Sequence, residues 1–298
     1  MASGGFMGLN IQNVVFKYAK KAPKNTINNV NLTINDKNEF IAILGHTGSG
    51  KSTLVQLMNA LLIPTSGTVT VNEQTVTSSE RENKKIKFKL IRQHIGLVFQ
   101  FPEYQLFEDS VINDIMFGPK NFGKTEEEAK KEALKVASIL RIAPNILDRS
   151  PFSLSGGQMR KVAIAGILAS NTDILILNEP TVGLDPRGKI ELMKLLQEIQ
   201  AETQKTIIMI SHDMNVVAEY AKRIIVMNQG NVVFDGEKRS LFEDLDNLSS
   251  FNLDLPECAK IALELKNRGL IKFNQLPLTK DELYKVLVDA CKVGDSNE

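Results

Sequence analysis

The sequence predicts an α/β fold in which helices cover both faces of a mostly parallel β-sheet. Short apolar runs of strand length recur along the chain, and they alternate with segments whose apolar residues fall at helical spacing. This alternation is typical of parallel sheets that are buried on both faces. With 298 residues, 43% of them apolar, the chain is long enough for one large domain with an appendage or for two modest domains.

Period-2 or continuous apolar runs predict the strands, and apolar residues three and four apart predict the helices. The strands are expected at Leu9–Tyr18, Val30–Ile34, Phe40–Leu44, Thr68–Val71, Ile95–Gln100, Asp173–Leu177, Thr206–Ile210 and Arg223–Met227. The helices are expected at Lys51–Leu62, Glu126–Ile142, Gln158–Ala169, Leu255–Lys266 and Lys280–Val288.

Local sequence patterns add three further expectations. Thr125 with Glu128 three residues later predicts a capping box at the start of one helix. Asn228-Gln229-Gly230 predicts a hairpin turn. The polar and basic stretch from Ser78 to Gln93 is interpreted as a solvated helix or loop, with nucleic-acid contact as the alternative.

Composition excludes several classes of function. The formal net charge is only +1, so no global charge favours nucleic acid as a partner. No apolar run approaches the roughly 20 residues of a membrane span, and no secretory signal is visible. The two cysteines, Cys258 and Cys291, have no metal or redox spacing and fit a reducing cytoplasm. We expect residues 1–8 to be an N-terminal tail, which an expression scar would partly explain.

A phosphate-binding loop lies between a predicted strand and a predicted helix. Its sequence fits G-x-x-x-x-G-K-[ST], and the strand–loop–helix setting is the context that this motif requires. Glycines let backbone N–H groups surround phosphates, and the helix N-terminus adds a positive dipole end. Lys51 is expected to reach the β- and γ-phosphates of ATP and Ser52 to ligate Mg²⁺. The predicted nucleotide-binding residues here are Gly45, His46, Thr47, Gly48, Ser49, Gly50, Lys51, Ser52 and Thr53.

A second motif follows about a hundred residues later and points to a superfamily. Leu154-Ser155-Gly156-Gly157-Gln158 resembles the signature motif of ATP-binding-cassette (ABC) ATPases. In that family the motif binds the γ-phosphate held by a second ATPase subunit. The resemblance therefore implies a partner ATPase, either a paralogue or a second copy of this chain.

Further motifs of the same family appear in order. Gln100 resembles the Q-loop glutamine, which senses Mg²⁺ and the attacking water. Ile174–Leu177 resembles the Walker B strand, with Asn178 where the family has Asp, and Glu179 matches the general base. Because hard cations favour charged oxygen ligands, we expect Asn178 to weaken Mg²⁺ binding while ATP binding is kept.

Three more positions complete the resemblance. Asp185 in Gly183-Leu184-Asp185 matches the D-loop, which crosses the dimer interface. His212, at the carboxyl end of a predicted strand, matches the switch histidine that contacts the γ-phosphate. Tyr18 resembles the aromatic residue that stacks on adenine, with core packing as the alternative. An aromatic stretch near Gln100 either packs in the core or lines a groove for a partner's helix; it comprises Phe99, Phe101, Tyr104 and Phe107.

Within the superfamily the chain looks most like the ATPases of energy-coupling-factor (ECF) transporters, and closest to their second isoform. The residues that carry this are 45–50, 99–107 and 117–121, together with Leu253-Asp254-Leu255-Pro256 and Leu276-Pro277-Leu278-Thr279. The resemblance implies a nucleotide-binding domain at residues 9–244, with an antiparallel β subdomain and a helical subdomain at about 101–168. A short helical C-terminal extension is expected at residues 245–298.

The same resemblance implies partners and a location. The ATPase is expected at the cytoplasmic face of the cell membrane, beneath a transmembrane coupling subunit. Indirectly it would serve a membrane subunit that captures a vitamin or a transition-metal ion. Other readings are an ATPase of another ABC transporter class, a DNA-repair or chromosome-type ABC ATPase and a non-hydrolysing regulatory module. Absence of a long heptad insertion argues against the chromosome type, and Asn178 alone favours the regulatory module.

Overall fold

The computed structural model describes residues 8–19 and 24–295, so the expected N-terminal tail lies outside the described residues except for Gly8, which begins a strand. Ten strands form two sheets within the described part of the chain. They are β1 (Gly8–Phe16), β2 (Ile27–Asn35), β3 (Phe40–Leu44), β4 (Ser66–Val71), β5 (Gln74–Val76), β6 (Ile95–Val98), β7 (Ile174–Asn178), β8 (Thr206–Ile210), β9 (Arg223–Asn228) and β10 (Asn231–Glu237).

Helices connect and flank these strands. They are α1 (Lys51–Met58), α2 (Glu80–Asn83), α3 (Phe88–His94), α4 (Val111–Asn121), α5 (Glu126–Ile139), α6 (Gly156–Ala169), α7 (Pro186–Thr203), α8 (Met214–Tyr220), α9 (Lys238–Phe242), α10 (Leu245–Ser250), α11 (Glu257–Asn267) and α12 (Lys280–Asp295). In the parts of the chain described here, no helix is long and apolar enough to cross a bilayer.

The central sheet has the strand order β10-β9-β3-β8-β7-β6. Its strands are parallel except for β10, which pairs antiparallel to β9. The predicted hairpin turn joins these two strands, and Gln229 and Gly230 both take the left-handed backbone that a tight hairpin needs, with φ of 47° and 81°. The predicted mostly parallel sheet is confirmed.

Successive side chains of β3 enter two different hydrophobic cores, one on each face of the central sheet. Ile41 and Ile43 contribute to a core shared with α1 and with a second, antiparallel sheet of order β2-β1-β4-β5. Ala42 and Leu44 point to the opposite face and join a core with helices α4 to α8. Side chains on a strand alternate between faces, so an uninterrupted apolar run is what a doubly covered strand requires.

Helices α4, α5 and α6 pack together on one side of the central sheet. The predicted capping box of α5 is confirmed: the Thr125 hydroxyl accepts from the Glu128 N–H at 3.3 Å, and the Glu128 carboxylate accepts from the Thr125 N–H at 2.8 Å. These helices fall in the range where a helical subdomain is expected. The subdomain boundaries themselves stay a prediction.

The predicted end of the first helix is wrong. The helix was expected to run to Leu62, but α1 ends at Met58 and Ala60 takes a left-handed backbone with φ of 53°. Asn59 donates a side-chain hydrogen bond to the carbonyl of Ile95, and Arg92 donates to the carbonyl of Ala60 at 3.2 Å. Contacts from a distant segment therefore override helical spacing here.

The expectation of a solvated helix or loop at residues 78–93 is confirmed, because the segment is largely exposed and contains α2 and most of α3, with Ile91 buried. One other expectation needs a smaller correction. The last predicted helix does not stop at Val288 but continues as α12 to Asp295. A small separate cluster of Ala262, Ile271 and Leu283 holds α11 and α12 together, which gives the C-terminal segment its own minor core.

Candidate nucleotide site

The loop between β3 and α1 has the backbone of a phosphate cradle. Gly45, Gly48 and Gly50 have φ of 138°, 82° and 107°, a region that glycine alone occupies readily. A Cβ on Gly45 would lie 2.1 Å from the carbonyl oxygen of Met227, so the loop runs directly against β9. The glycine conformations and the close approach to β9 therefore fix the shape of this loop.

Lys51 is folded into this loop. The side chain is 6% exposed, and its Nζ donates to the carbonyls of Gly45 at 2.7 Å and His46 at 2.9 Å. Burial lowers the pKa of Lys51, and the nearby Glu179 carboxylate partly opposes that effect. Ser49 is fully buried, and its hydroxyl has no hydrogen-bond partner among the described residues. A buried cation and an unpaired hydroxyl beside the glycine-rich backbone of this loop fit the phosphates of ATP.

His46 and Thr47 form the outer part of the loop. The His46 ring contacts the Thr47 carbonyl through Nδ1 at 2.7 Å and the Asn228 side chain through Nε2 at 3.2 Å. Both residues are exposed. Their side chains therefore lie at the rim of the cradle rather than in it.

Three uncharged side-chain oxygens are available for Mg²⁺, and one of them is the amide oxygen of Gln100, whose Nε2 is bonded to Glu179. Ser52 is exposed and Asn178, the last residue of β7, is half-buried. Neither side chain hydrogen bonds to any residue that the structure describes. No cluster of three or more His, Cys, Asp or Glu able to hold a metal occurs within the described ranges. Such a donor set fits Mg²⁺ held mainly by water and by the phosphates of a nucleotide, as is usual for this ion.

The Glu179 carboxylate lies between the side chains of Gln100, which follows β6, and His212, which follows β8. Gln100 Nε2 donates to one carboxylate oxygen at 3.2 Å, and His212 Nε2 lies 3.2 Å from the other. The Glu179 backbone is left-handed, with φ of 51°, and its N–H donates to the carbonyl of Ile210 on β8. The three residues that the sequence predicts as catalytic are therefore together in space.

Tyr18 is not a core residue. Its ring is 64% exposed and packs edge-on against the buried Phe16, with the centroids 5.0 Å apart. The Tyr18 hydroxyl hydrogen bonds to the hydroxyl of Thr53 in α1 at 3.0 Å. This bond ties the exposed ring to the helix that begins at the phosphate loop.

The signature pentapeptide forms the start of α6. Leu154 is buried, whereas Ser155 is the N-cap and forms a capping box with Gln158, at 3.0 and 3.4 Å. Gly156 and Gly157 are exposed, and a Cβ on either would meet nothing within 4 Å. Packing within this chain therefore does not require the two glycines, and their N–H groups, in the first turn of α6, have no intrahelical partner.

Asp185 is the N-cap of α7, where its carboxylate accepts from the Gly188 N–H at 2.6 Å. The residue is exposed on the same surface as Gly183, whose φ is 77°. The loop from Glu179 to Asp185 consequently runs from the carboxyl end of β7 to the start of a long helix. Among the described residues, no hydrogen bond or ion pair joins Asp185 to the phosphate loop.

Arg160 and Glu103, neither of which was predicted as a site residue from the sequence, lie beside this site. Arg160 of α6 is 6% exposed and donates to the carbonyls of Pro180 and Val182 at 2.8 and 3.0 Å. Its other nitrogen lies 3.9 Å from a Glu103 oxygen, and burial lowers the pKa of this guanidinium. A signal was present in the sequence, because Arg160 is four residues before Ile164 and thus on the apolar face of its helix.

None of the four aromatic residues near Gln100 is buried in the core. The exposed fraction is 38% for Phe99, 45% for Phe101, 85% for Tyr104 and 56% for Phe107. Phe107 stacks edge-on against Phe117 at 4.7 Å, beside a cavity of about 330 Å³ whose walls also include Leu97, Gly118 and Ile167. The alternative that these rings pack in the core is wrong, and they form an exposed apolar surface instead.

Comparison with known proteins identifies the family. The sequence model of the ABC transporter family matches residues 27–182. The chain belongs to the ABC transporter family. As an ABC ATPase it binds ATP with Mg²⁺ and couples ATP hydrolysis to transport.

Similarity to individual relatives extends over nearly the whole chain. It is 45% identical to the energy-coupling factor transporter ATP-binding protein EcfA2 of Lactiplantibacillus plantarum over 95% of each chain. It is 44% identical to EcfA2 of Streptococcus pyogenes serotype M5, over 94% of this chain and 99% of the relative. Within the family, this ABC ATPase therefore groups with the ATP-binding subunits of ECF-type transporters.

Solved structures agree with this grouping. The cbiO1 protein of Clostridium perfringens, part of the ABC transporter complex cbiONQ, is 34% identical with a TM-score of 0.71, covering 89% of this chain and 98% of that one. A dimeric ATP-binding cassette in a post-hydrolysis state, bound to ADP and Pi, is 31% identical with a TM-score of 0.65, covering 78% and 99%. The predicted ABC ATPase fold is confirmed.

Proposed function

We propose that this ABC ATPase is the second-isoform ATPase subunit of an ECF-type importer and that residues 45–53, Gln100, Glu179 and His212 form its own catalytic site. The assignment of these residues to a catalytic site rests on one observation. The Glu179 carboxylate is held at 3.2 Å by both Gln100 and His212, beside the loop that encloses Lys51. Three polar groups from separate segments converge where the carboxyl ends of β6, β7 and β8 meet, which is where α/β folds place ligands.

The chemistry of these residues follows from their positions. Lys51 and the loop N–H groups neutralise phosphate charge, and Tyr18 presents a ring face to adenine. Glu179 accepts a proton from the water that attacks the γ-phosphate, while Gln100 and His212 orient the carboxylate. Mg²⁺, when bound with ATP, neutralises phosphate charge, and Ser52 and Asn178 would hold it. An amide oxygen at Asn178 lacks the charge of a carboxylate and weakens this hold.

The signature motif serves a different site. Ser155, Gly156 and Gly157 expose backbone and hydroxyl donors that this chain does not use beyond the capping box. They would complete the nucleotide site built on the phosphate loop of a second ATPase subunit, with Asp185 at the same interface. A partner with Asp in place of Asn178 would leave the dimer with one strong and one weakened Mg²⁺ site.

The exposed aromatic surface supports a membrane partner. An amphipathic helix laid in an apolar groove is a recurrent mode of recognition, and the cavity beside Phe107 and Phe117 offers such a groove. We therefore place a helix of a transmembrane coupling subunit here, next to Gln100. The chain would then lie peripherally on the cytoplasmic face of the membrane. The transported vitamin or metal ion would be bound by another subunit.

Purification tests this function. The tagged chain, extracted with its membrane fraction, should retain a second ATPase and a polytopic membrane protein, identified by mass spectrometry. Phe107→Ser combined with Phe117→Ser should release the membrane protein and keep the ATPase partner. Recovery of the chain without any membrane protein would contradict the proposal. Retention of the membrane protein by the double variant would contradict the assigned groove.

The non-hydrolysing regulatory module is the second candidate, because Asn178 departs from the family's Asp. Glu179 argues against it, since the proton acceptor for the attacking water is present and oriented. Phosphate release by the purified complex decides between the two. Turnover that Glu179→Gln abolishes supports hydrolysis in this chain's own site, whereas turnover that Glu179→Gln leaves unchanged assigns hydrolysis to the partner.

A further inference from the structure

Arg160 of the signature helix connects this helix to the loop after Glu179 and to the segment after Gln100. It belongs to α6, which begins at the signature motif. Its Nη1 donates to the carbonyls of Pro180 and Val182, the residues on either side of the buried Thr181. Its Nη2 faces Glu103, which lies in the short 3-10 turn Pro102–Gln105.

The two bonds to backbone carbonyls fix the start of the loop that carries Glu179. Pro180 follows Glu179 directly, and the Glu179 backbone is in the left-handed region that non-glycine residues seldom adopt. Such a conformation persists only where neighbouring groups determine it. A charged donor shared between two carbonyls is a strong constraint of this kind.

Arg160 and Glu103 face each other but are too far apart to form a hydrogen-bonded ion pair. Arg160 Nη2 and Glu103 Oε2 are 3.9 Å apart, whereas a bonded pair lies at about 2.7–2.9 Å. Both Arg160 Nε and Glu103 Oε2 are buried without a partner among the described residues. A shift of about 1 Å would bring Arg160 Nη2 within hydrogen-bonding distance of Glu103 Oε2 and give that buried oxygen a partner. Because Glu103 is three residues from Gln100 and adjacent to the highly exposed Tyr104, contact at the surface can produce this shift.

We propose that Arg160 is a positioning residue that couples the segment of Gln100 and Glu103 to the catalytic Glu179 through the carbonyls of Pro180 and Val182. This inference rests on the proposed function. Closure of the Arg160–Glu103 pair sets the loop after Glu179 and so aligns the carboxylate. A helix docked beside Tyr104 thereby acts on hydrolysis without touching the nucleotide. Nucleotide binding itself is left unchanged, because neither Arg160 nor Glu103 forms a hydrogen bond or ion pair with the phosphate loop.

Steady-state ATP hydrolysis tests the proposal in the complex purified with the full-length chain, with the second ATPase subunit inactivated at its own phosphate loop so that only this chain's site turns over. Glu103→Gln and Arg160→Lys are each expected to lower kcat about tenfold while KM for ATP changes less than twofold. The double variant is expected to be no slower than the slower single variant, because both changes break one link. Asp109→Asn is the matched control. It removes an exposed carboxylate from the same segment and should leave kcat unchanged.

The outcomes separate this proposal from the proposed function. Multiplicative losses in the double variant, or a KM that rises in parallel with the fall of kcat, would overturn the coupling. If Arg160→Lys does not fold, Glu103→Gln against Asp109→Asn decides alone, and equal kcat values overturn the proposal. Glu179→Gln serves as the reference. Full turnover in Glu179→Gln contradicts the proposed function, whereas an inactive Glu179→Gln with a fully active Glu103→Gln contradicts only the role of Arg160.

Discussion

Gln100 and Glu179 are 79 positions apart in sequence, yet the Gln100 amide donates a hydrogen bond to the Glu179 carboxylate at 3.2 Å. Gln100 follows β6, and Glu179 follows β7, the neighbouring parallel strand. The bond therefore spans the gap between two adjacent strand ends. It links the segment that we assign to the membrane partner with the residue that we assign to proton transfer.

Replacing Glu179 by Gln should separate binding from hydrolysis. The amide keeps the shape and the contacts of the side chain but cannot accept a proton from water. In a complex whose second ATPase subunit is inactivated at its own phosphate loop, kcat should therefore fall about 10²–10⁴-fold. Binding of a fluorescent ATP analogue should stay within about twofold, because Glu179 does not form the phosphate loop. Gln100→Ala is the matched comparison and should lower kcat less, since it only frees the carboxylate. A Glu179→Gln variant that also loses nucleotide binding would contradict this division of roles.

Ser155 and Thr125 allow capping and catalysis to be distinguished. Each is the N-cap of a helix with a complete capping box, but only Ser155 belongs to the signature motif. Ser155→Ala and Thr125→Ala should each destabilise the chain by about 1 kcal/mol in urea unfolding. Only Ser155→Ala should abolish most of the ATP turnover of the assembled dimer. Equal turnover in the two variants would refute the assignment of Ser155 to a partner's nucleotide.

Tyr18 should contribute to affinity through its ring and not through its hydroxyl. Tyr18→Ala removes the ring and should weaken ATP binding about tenfold, as expected for the loss of one base–aromatic stacking contact of about 1–3 kcal/mol. Tyr18→Phe keeps the ring and loses only the bond to Thr53, so its affinity should stay close to that of the wild type. Equilibrium titration with a fluorescent ATP analogue measures both. A similar loss in both variants would mean that the hydroxyl orders the phosphate loop instead.

The central sheet could be predicted because its signal is local. The strands β3 and β8 are continuous apolar runs with the bounds that their sequences indicate, and the turn at Gln229 and Gly230 has the residues of a tight hairpin. The end of α1 could not be predicted, because Asn59 and Arg92 bind carbonyls that only the folded chain brings near. A local pattern holds no information about such partners.

The residues of the site also include some that the sequence predicts and one that it does not. Resemblance to the motifs of the family predicted that Gln100, Glu179 and His212 act together, and the structure brings them within hydrogen-bonding distance. Arg160 was missed, although a charge on the apolar face of a helix is visible in the sequence. What it contacts is not visible, because Pro180 and Val182 contribute main-chain carbonyls that carry no sequence signature.

Restoring a carboxylate at position 178 should strengthen Mg²⁺ binding. Asn178→Asp adds a negative charge at the end of β7, and the apparent Mg²⁺ affinity in the ATPase reaction should rise about tenfold. Nucleotide affinity without Mg²⁺ should not increase, because the added charge repels phosphate. Mn²⁺ binding followed by electron paramagnetic resonance gives a readout independent of turnover. Identical metal dependence in Asn178→Asp and the wild type would show that Asn178 does not weaken the site.

His94 should make stability depend on pH. The side-chain hydrogen bond from His94 to Asp173, strengthened by the charges of Asp173 and Asp36, raises the pKa of His94 above its ordinary value of 6.5 against the opposing effect of burial. The folded state therefore holds this proton to higher pH than the unfolded state. Its stabilising contribution is complete below pH 6.5 and is lost as pH rises through the raised pKa. The difference in unfolding free energy between the wild type and His94→Gln, measured in urea, should shrink from about pH 6 to about pH 9. In an Asp173→Asn background the same difference should be nearly constant with pH, and a constant difference in the native background would contradict the assigned bond.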